Sequence, residues 1–173
     1  MRKLFRRLPF VAVALAALFA VTAPPADAGT YTLKIRNQGT GLCLEPERGA
    51  PVIWDSVVQV DCGSGHTKWQ VEEVGMYMVM WLRLRHPENP SLCITAGSTA
   101  GDTNYLGYCE TEQSASTYQS QLWAFVPEGD KFQLKVASNY NCMGIPGGSM
   151  LPGAKSITWG CGPWNDHFWY LQP

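Results

Sequence analysis

The chain has 173 residues, 46% of them apolar and 16% charged, with a formal net charge of −1. That size and balance suit one soluble globular domain and exclude a disordered chain. Beyond its first seven residues the chain has no basic cluster, which argues against a nucleic-acid binder, since an acidic surface repels a phosphate backbone instead of releasing its counterions.

The chain opens with Arg2, Lys3, Arg6 and Arg7, then an apolar stretch from Leu8 to Val21 interrupted by Pro9, then Ala26-Asp27-Ala28. A basic start, a short apolar run and a small-residue cleavage site predict an export signal over residues 1–28, with the mature chain beginning at Gly29. The run falls short of the roughly 20 apolar residues of a spanning helix, so no membrane span is expected in the mature chain. Cleavage would remove four of the 13 Lys+Arg and one of the 14 Asp+Glu, leaving a net charge of −4. All six cysteines lie beyond the cleavage site. In an exported chain an even number predicts disulfides, although counting alone allows fifteen pairings.

From residue 31 onward the sequence repeats. Tyr31, Leu33 and Ile35 alternate with Thr32, Lys34 and Arg36, and Cys43, Cys62 and Trp69 follow. Leu82 and Leu84 alternate with Arg83 and Arg85, ahead of Cys93, Cys109 and Trp123. Phe132, Leu134 and Val136 alternate with Gln133 and Lys135, ahead of Cys142, Cys161 and Trp169. The cysteines of each pair are 19, 16 and 19 positions apart, and successive first cysteines are 50 and 49 apart. Each tryptophan follows its second cysteine by 7, 14 and 8 positions, so the second unit carries an insertion within ETEQSASTYQSQ.

Period-two alternation predicts strands with one buried face. Asn37-Gln38-Gly39, Pro87-Glu88-Asn89-Pro90, Glu128-Gly129-Asp130 and Pro146-Gly147-Gly148 are turn formers between them. The fold class is all-β, in one domain over residues 29–173 with units at about 29–75, 76–127 and 128–173. A unit of this size cannot bury its own apolar face, so three of them sharing a core predict a closed pseudo-threefold barrel.

The stretches GLCLEPERG…VVQVDCGSG…KW, SLCITAG…YCE…QLW and NCMGIPGG…ITWGCGPWNDHFW together resemble the ricin-type β-trefoil lectin repeat, over nearly all of residues 29–173. The resemblance implies a six-stranded barrel closed by three hairpins. It also implies disulfides Cys43–Cys62, Cys93–Cys109 and Cys142–Cys161, and a core holding Trp69, Trp123 and Trp169. Its sugar sites use a carboxylate two residues after the first cysteine, an aromatic ring two residues before the second, and an Asn-Gln pair just ahead of the last tryptophan. The acid accepts hydrogen bonds from hydroxyls, and the ring covers the apolar face of a pyranose.

Those positions hold Glu45, Val60 and His66-Thr67 in the first repeat, and Thr95, Gly107 and Ser120-Gln121 in the second, where Tyr108 is one residue out of register. In the third they hold Gly144, Trp159 and Asp166-His167. No repeat keeps the full set. The third is the best candidate, with Trp159 as platform, Asp166 as acceptor, His167 beside it and Trp164 flanking the pocket. Glu45 and Gln121 are the survivors in the first and second repeats.

The stretch GMYMVMWLRL, residues 75–84, is apolar at both alternate sets of positions. Such a strand is buried on both sides or covered by a protein partner; the core reading is preferred, with Met filling gaps. The function expected is a secreted, non-catalytic, carbohydrate-binding protein. The alternative is a degenerate trefoil acting as subunit or adaptor in a secreted protein or toxin complex. No cofactor is expected, because no Gly-x-Ser-x-Gly elbow, His-Glu-x-x-His motif or phosphate loop occurs, and Cys62-Gly-Ser-Gly-His66 is better explained by a disulfide than by a metal.

Overall fold

The alternating runs become strands of one closed barrel. A computed structural model describes residues 31–76, 79–113 and 117–173; the expected export signal lies outside them. Four strands form in each repeat: β1 Tyr31–Asn37, β2 Cys43–Pro46, β3 Val57–Val60 and β4 Lys68–Met76; β5 Val79–His86, β6 Asn89–Thr95, β7 Tyr105–Tyr108 and β8 Trp123–Glu128; β9 Lys131–Val136, β10 Cys142–Gly144, β11 Ile157–Trp159 and β12 Phe168–Gln172. The first and last strand of each repeat pair antiparallel with each other and with the neighbouring repeats, so β1, β4, β5, β8, β9 and β12 close a six-stranded ring. The hairpins β2–β3, β6–β7 and β10–β11 cap one end. This is a β-trefoil.

The caps are tied to each other around the pseudo-threefold axis. Val57 N–H donates to Asn104 O at 2.9 Å, Asn104 N–H to Ser156 O at 2.9 Å, and Ser156 N–H to Val57 O at 2.8 Å. These bonds satisfy backbone groups that would otherwise be orphaned at the strand tips. The axis also organises the interior: Trp69, Trp123 and Trp169 are fully buried. Each indole N–H donates to the carbonyl of the residue after a first cysteine, Leu44 at 3.0 Å, Ile94 at 3.2 Å and Met143 at 3.1 Å. An interior indole keeps its polar edge satisfied in this way. Disulfides join Cys43–Cys62, Cys93–Cys109 and Cys142–Cys161. Each contributes about 3 kcal/mol by restricting the unfolded chain.

Two expectations from periodicity fail in the second repeat. Arg83, on the polar set of β5, is buried rather than exposed. Its guanidinium bonds Glu72 at 3.0 Å and the Glu110 carbonyl at 2.6 Å and lies over the Tyr118 ring, because the insertion folds Tyr118 across the outer face of the strand. Trp81, Tyr118, Leu122 and Ala137 form a small second cluster there. The preferred core reading of the Met-rich strand holds for Trp81 and fails for Met80, which is 56% exposed; Tyr77 and Met78 lie outside the described residues.

Candidate carbohydrate site

The third repeat builds a cleft of about 890 Å³ lined by Gly39, Ile145, Trp159, Trp164, Asp166 and His167 among others. Its lining holds no Lys or Arg. Trp159 ends β11, and the 3₁₀ turn Asn165–His167 faces it across the cleft. One side-chain and one backbone bond fix that turn against the first repeat: Asn37 Nδ2 donates to Asp166 O at 2.8 Å and Gly39 N–H to Asn165 O at 3.1 Å. Gly39 approaches so closely that a Cβ there would sit 3.1 Å from Asp166 N. Ile145 N–H donates to Asp166 O at 3.3 Å and ties the turn to the third-repeat hairpin.

Two indoles open onto this cleft, Trp159 at 47% exposure and Trp164 at 52%. Rings left half in water at the mouth of a cleft cost hydrophobic free energy that a covering ligand would recover. Trp164 folds back over Gly162, where any side chain would overlap its ring, and sets its edge against His167 with ring centres 5.1 Å apart.

His167 is 4% exposed. Burial pushes its pKa below the ordinary imidazole value, and the Asp166 carboxylate, 3.9 Å from Nε2, opposes this only in part. The ring is therefore neutral at pH 7, with one nitrogen a donor and the other an acceptor. Nδ1 is buried without a hydrogen-bond partner among the described residues.

His167 also accounts for the missing acid. A Cβ on Gly144 would lie 2.6 Å from His167 Cδ2 and 2.8 Å from Nε2. The imidazole thus occupies the room that a side chain at position 144 would need. In the second repeat the same two positions hold side chains that bond each other, Gln121 Nε2 donating to Thr95 Oγ1 at 3.0 Å.

The structure brings Trp159, Trp164, Asp166 and His167 together and leaves the other two candidates apart. Glu45 is buried and its carboxylate accepts from the Ser64 hydroxyl. Gln121 is buried with both amide hydrogens used, on Thr95 and on Tyr108 O at 2.8 Å, while its oxygen accepts from Glu110 N–H at 2.8 Å. It lies at the floor of a second cleft of about 230 Å³, lined also by Trp54, Tyr105, Tyr108 and Glu110.

Trp54 was not among the residues picked out by the motif. It is 70% exposed and has φ 69°, a left-handed conformation costing a bulky residue about 1–2 kcal/mol. Backbone bonds show which residues are its equivalents: Trp54 N–H donates to Leu106 O at 2.8 Å, Gly101 N–H to Thr158 O at 2.7 Å and Gly153 N–H to Gln59 O at 2.7 Å. The other two repeats put glycine there, with φ 95° and 86°. Trp54 and Gly153 each lie 11 positions after a first cysteine, a spacing that could have exposed the substitution.

No protein-family model and no curated protein matches the chain. Solved structures do. The chain is similar to the designed threefold-symmetric protein ThreeFoil at 15% identity, TM-score 0.68, over 82% of this chain and 98% of that one. It is similar to the C-half of the earthworm R-type lectin, solved in complex with GalNAc, at 12% identity, TM-score 0.59, over 82% and 97%. A mosquitocidal holotoxin contains a similar region, at 10% identity, TM-score 0.71, over 83% of this chain and only 17% of the toxin. At these identities the likeness is one of fold.

Proposed function

We propose that the protein is a non-catalytic carbohydrate-binding protein that grips a saccharide in the third-repeat cleft. The observation that carries this reading is the pair of half-exposed indoles, Trp159 and Trp164, opening on the same cleft as the Asp166 carboxylate. An indole covers the apolar face of a pyranose while a carboxylate accepts from its hydroxyls, and a neutral His167 adds a further hydrogen-bonding edge. With an acid and no cation in the lining, the cleft suits neutral or amino sugars and repels uronic or sialic acids. Glycoside hydrolysis calls for two carboxyl groups flanking the bond, and this lining offers one. The bound GalNAc of the earthworm lectin is in keeping with the reading.

A glycan array on the folded protein, followed by calorimetry on the best ligand, tests it. Trp159→Ala should weaken binding at least tenfold, and Asp166→Asn about tenfold or more, since bonds to a charged acceptor are worth about 1.5–3 kcal/mol. A folded protein that binds no glycan, or a dissociation constant unmoved by Trp159→Ala, overturns it. Export belongs to the same reading, supported by the three disulfides; protein recovered from culture medium should begin at Gly29.

A second reading, a subunit or adaptor of a larger secreted or toxin assembly, is favoured by the exposed Met80 and by the trefoil that the holotoxin contains. Stable co-purification with a second chain from culture medium would support it, and a strictly monomeric species would count against it.

A further inference from the structure

Each repeat meets the next where the turn ahead of its core tryptophan rests on the end of the following repeat's first strand. The strand-end position is held by Asn37, His86 and Val136, two residues past Ile35, Leu84 and Leu134, and all three are buried.

The third repeat is bonded to the first through Asn37 Nδ2, which donates to Asp166 O at 2.8 Å, through Gln38 N–H to Phe168 O at 2.8 Å and through Gly39 N–H to Asn165 O at 3.1 Å. Asn37 Oδ1 turns back to accept from Gly39 and Thr40 N–H, so one amide side chain both links the repeats and caps its own turn. The second repeat is bonded to the third through Ala137 N–H, which donates to Leu122 O at 2.9 Å. This is the same backbone bond as that of Gln38 to Phe168, from the residue after the strand-end position to the residue before the core tryptophan.

Where the first repeat meets the second, that bond cannot form, because the donor position is Pro87. The imidazole of His86 takes the place of the Asn37 amide. Its Nε2 lies 3.3 Å from His66 O, three residues before Trp69 as Asp166 is before Trp169. Its Nδ1 meets Glu88 N–H at 3.3 Å, two residues on as Gly39 is from Asn37. A backbone N–H only donates, so Nδ1 is the acceptor and the proton of the ring is on Nε2, donating to His66 O. Both nitrogens are committed to the neutral form. A proton added at Nδ1 would set N–H against N–H and break the cap, a state that asparagine does not have.

The ring packs edge-on against Trp69, with centres 5.4 Å apart, and stacks on His66 at 6.3 Å. The titratable groups facing it are His66, Glu88 and Glu45. Glu88 Oε1 lies 3.0 Å from His66 Nδ1, and any proton on His66 sets a positive charge beside His86. Burial above all, with that charge, outweighs the two carboxylates and the bond to His66 O, and holds the His86 pKa below the ordinary imidazole value.

We infer that the contact between residues 64–67 and His86 is an acid-released joint, the one of the three in which an imidazole does the linking that an amide side chain or a backbone N–H does elsewhere. On taking up a proton, His86 leaves its place and the turn around Ser64 and His66 loosens. The barrel stays closed, because the β4–β5 ladder from Gln70 and Arg85 onward does not use the ring. The released ring takes up its proton near the ordinary value of about 6.5, so the joint is held above that pH and weakens as the pH falls below it.

Residue-resolved NMR and amide exchange on the full-length folded protein between pH 7.5 and 4.5 test the joint. The His86 ring, the Glu88 amide and the Trp69 indole N–H should shift on one titration curve, and exchange at residues 64–67, corrected for its intrinsic rate, should rise at least about threefold. The Ala137 amide and the Trp123 indole, at the joint of the second and third repeats, should not follow that curve. His86→Asn, which adopts the residue of the first repeat, should flatten it, and His66→Gln should move it to higher pH by removing a like charge. Glu88 and Trp69 signals that stay flat, or that move only together with those of Ala137 and Trp123, overturn the inference, as does a curve that persists in His86→Asn. The wild-type curves decide the matter even where that variant fails to fold.

Discussion

Replacing Gly144 by alanine isolates the contact that shapes the third-repeat cleft. The new Cβ would fall 2.6 and 2.8 Å from two atoms of the His167 ring, about 1 Å inside ordinary carbon contact distance. The ring has little room to retreat: Trp164 sets its edge against it, and the His167 backbone N–H is bonded to Trp164 O at 3.0 Å. Overpacking of this kind costs about 1–3 kcal/mol. Alanine in a strand returns about 0.5–1 kcal/mol relative to glycine through its smaller backbone entropy loss. The net destabilisation should be about 1–2 kcal/mol, or a fall in Tm of about 3–6 °C for a chain of this size. In a His167→Ala background the obstruction is gone, so the same substitution should be neutral or mildly stabilising, giving a coupling energy of about 1–2 kcal/mol. Thermal and urea unfolding of wild type, the two single variants and the double variant measure it. Equal losses in both backgrounds, or no loss with His167 present, would refute the packing argument.

Other consequences are open to simple measurement. Trp69→Ala, Trp123→Ala and Trp169→Ala should each cost about 3–5 kcal/mol in urea unfolding, and by similar amounts because the three indoles share one environment and one type of hydrogen bond. Replacing Cys93 and Cys109 together by serine should cost about 3 kcal/mol without changing the strand content seen by circular dichroism. Burial depresses the pKa of both His86 and His167, in His86 against the opposing bond to His66 O. The unfolded chain then binds more protons than the folded one between the depressed values and about 6.5, so stability is full above pH 6.5 and falls as the pH drops below it. Urea midpoints at pH 7.5 and 5.5 check this, and a flat profile in His167→Gln and His86→Gln together would tie the slope to these rings.

The repeat was legible because its marks are chemical constraints at fixed spacing. A cysteine must meet its partner across one hairpin, and a tryptophan must reach the same carbonyl near the axis, so both recur in phase even where other positions drift. What stayed hidden arises from contacts between repeats or from the insertion. Arg83 reads as a surface residue of β5 until Tyr118, 35 positions later, is folded over it. His167 reads as a site residue beside Asp166, yet it stands two positions before the core tryptophan, where Thr67 and Gln121 are also buried. Comparing those three positions by volume would have shown a large ring opposed to a glycine, which is the signature of a filled space. Glu45 reads as a free acid because Ser64, which bonds it, lies beyond the second cysteine.

The rings at the clefts come from positions belonging to different repeats. Reading each repeat alone asks whether it carries its own ring at Val60, Gly107 or Trp159, and finds one. The backbone bonds of the caps place beside these residues Gly153, Trp54 and Gly101, respectively, each from the preceding repeat around the axis. The pairs are then Val60 with Gly153, Gly107 with Trp54, and Trp159 with Gly101: the first has no ring, and the other two have one each. In the first repeat the acid is also taken, by Ser64. With neither a ring nor a free acid, the first repeat should bind no sugar. Calorimetry on Trp159→Ala with the best ligand of the third-repeat cleft should show that binding lost, and a binding constant unchanged there would show that a ring at this pair of positions is not what a trefoil cleft here requires.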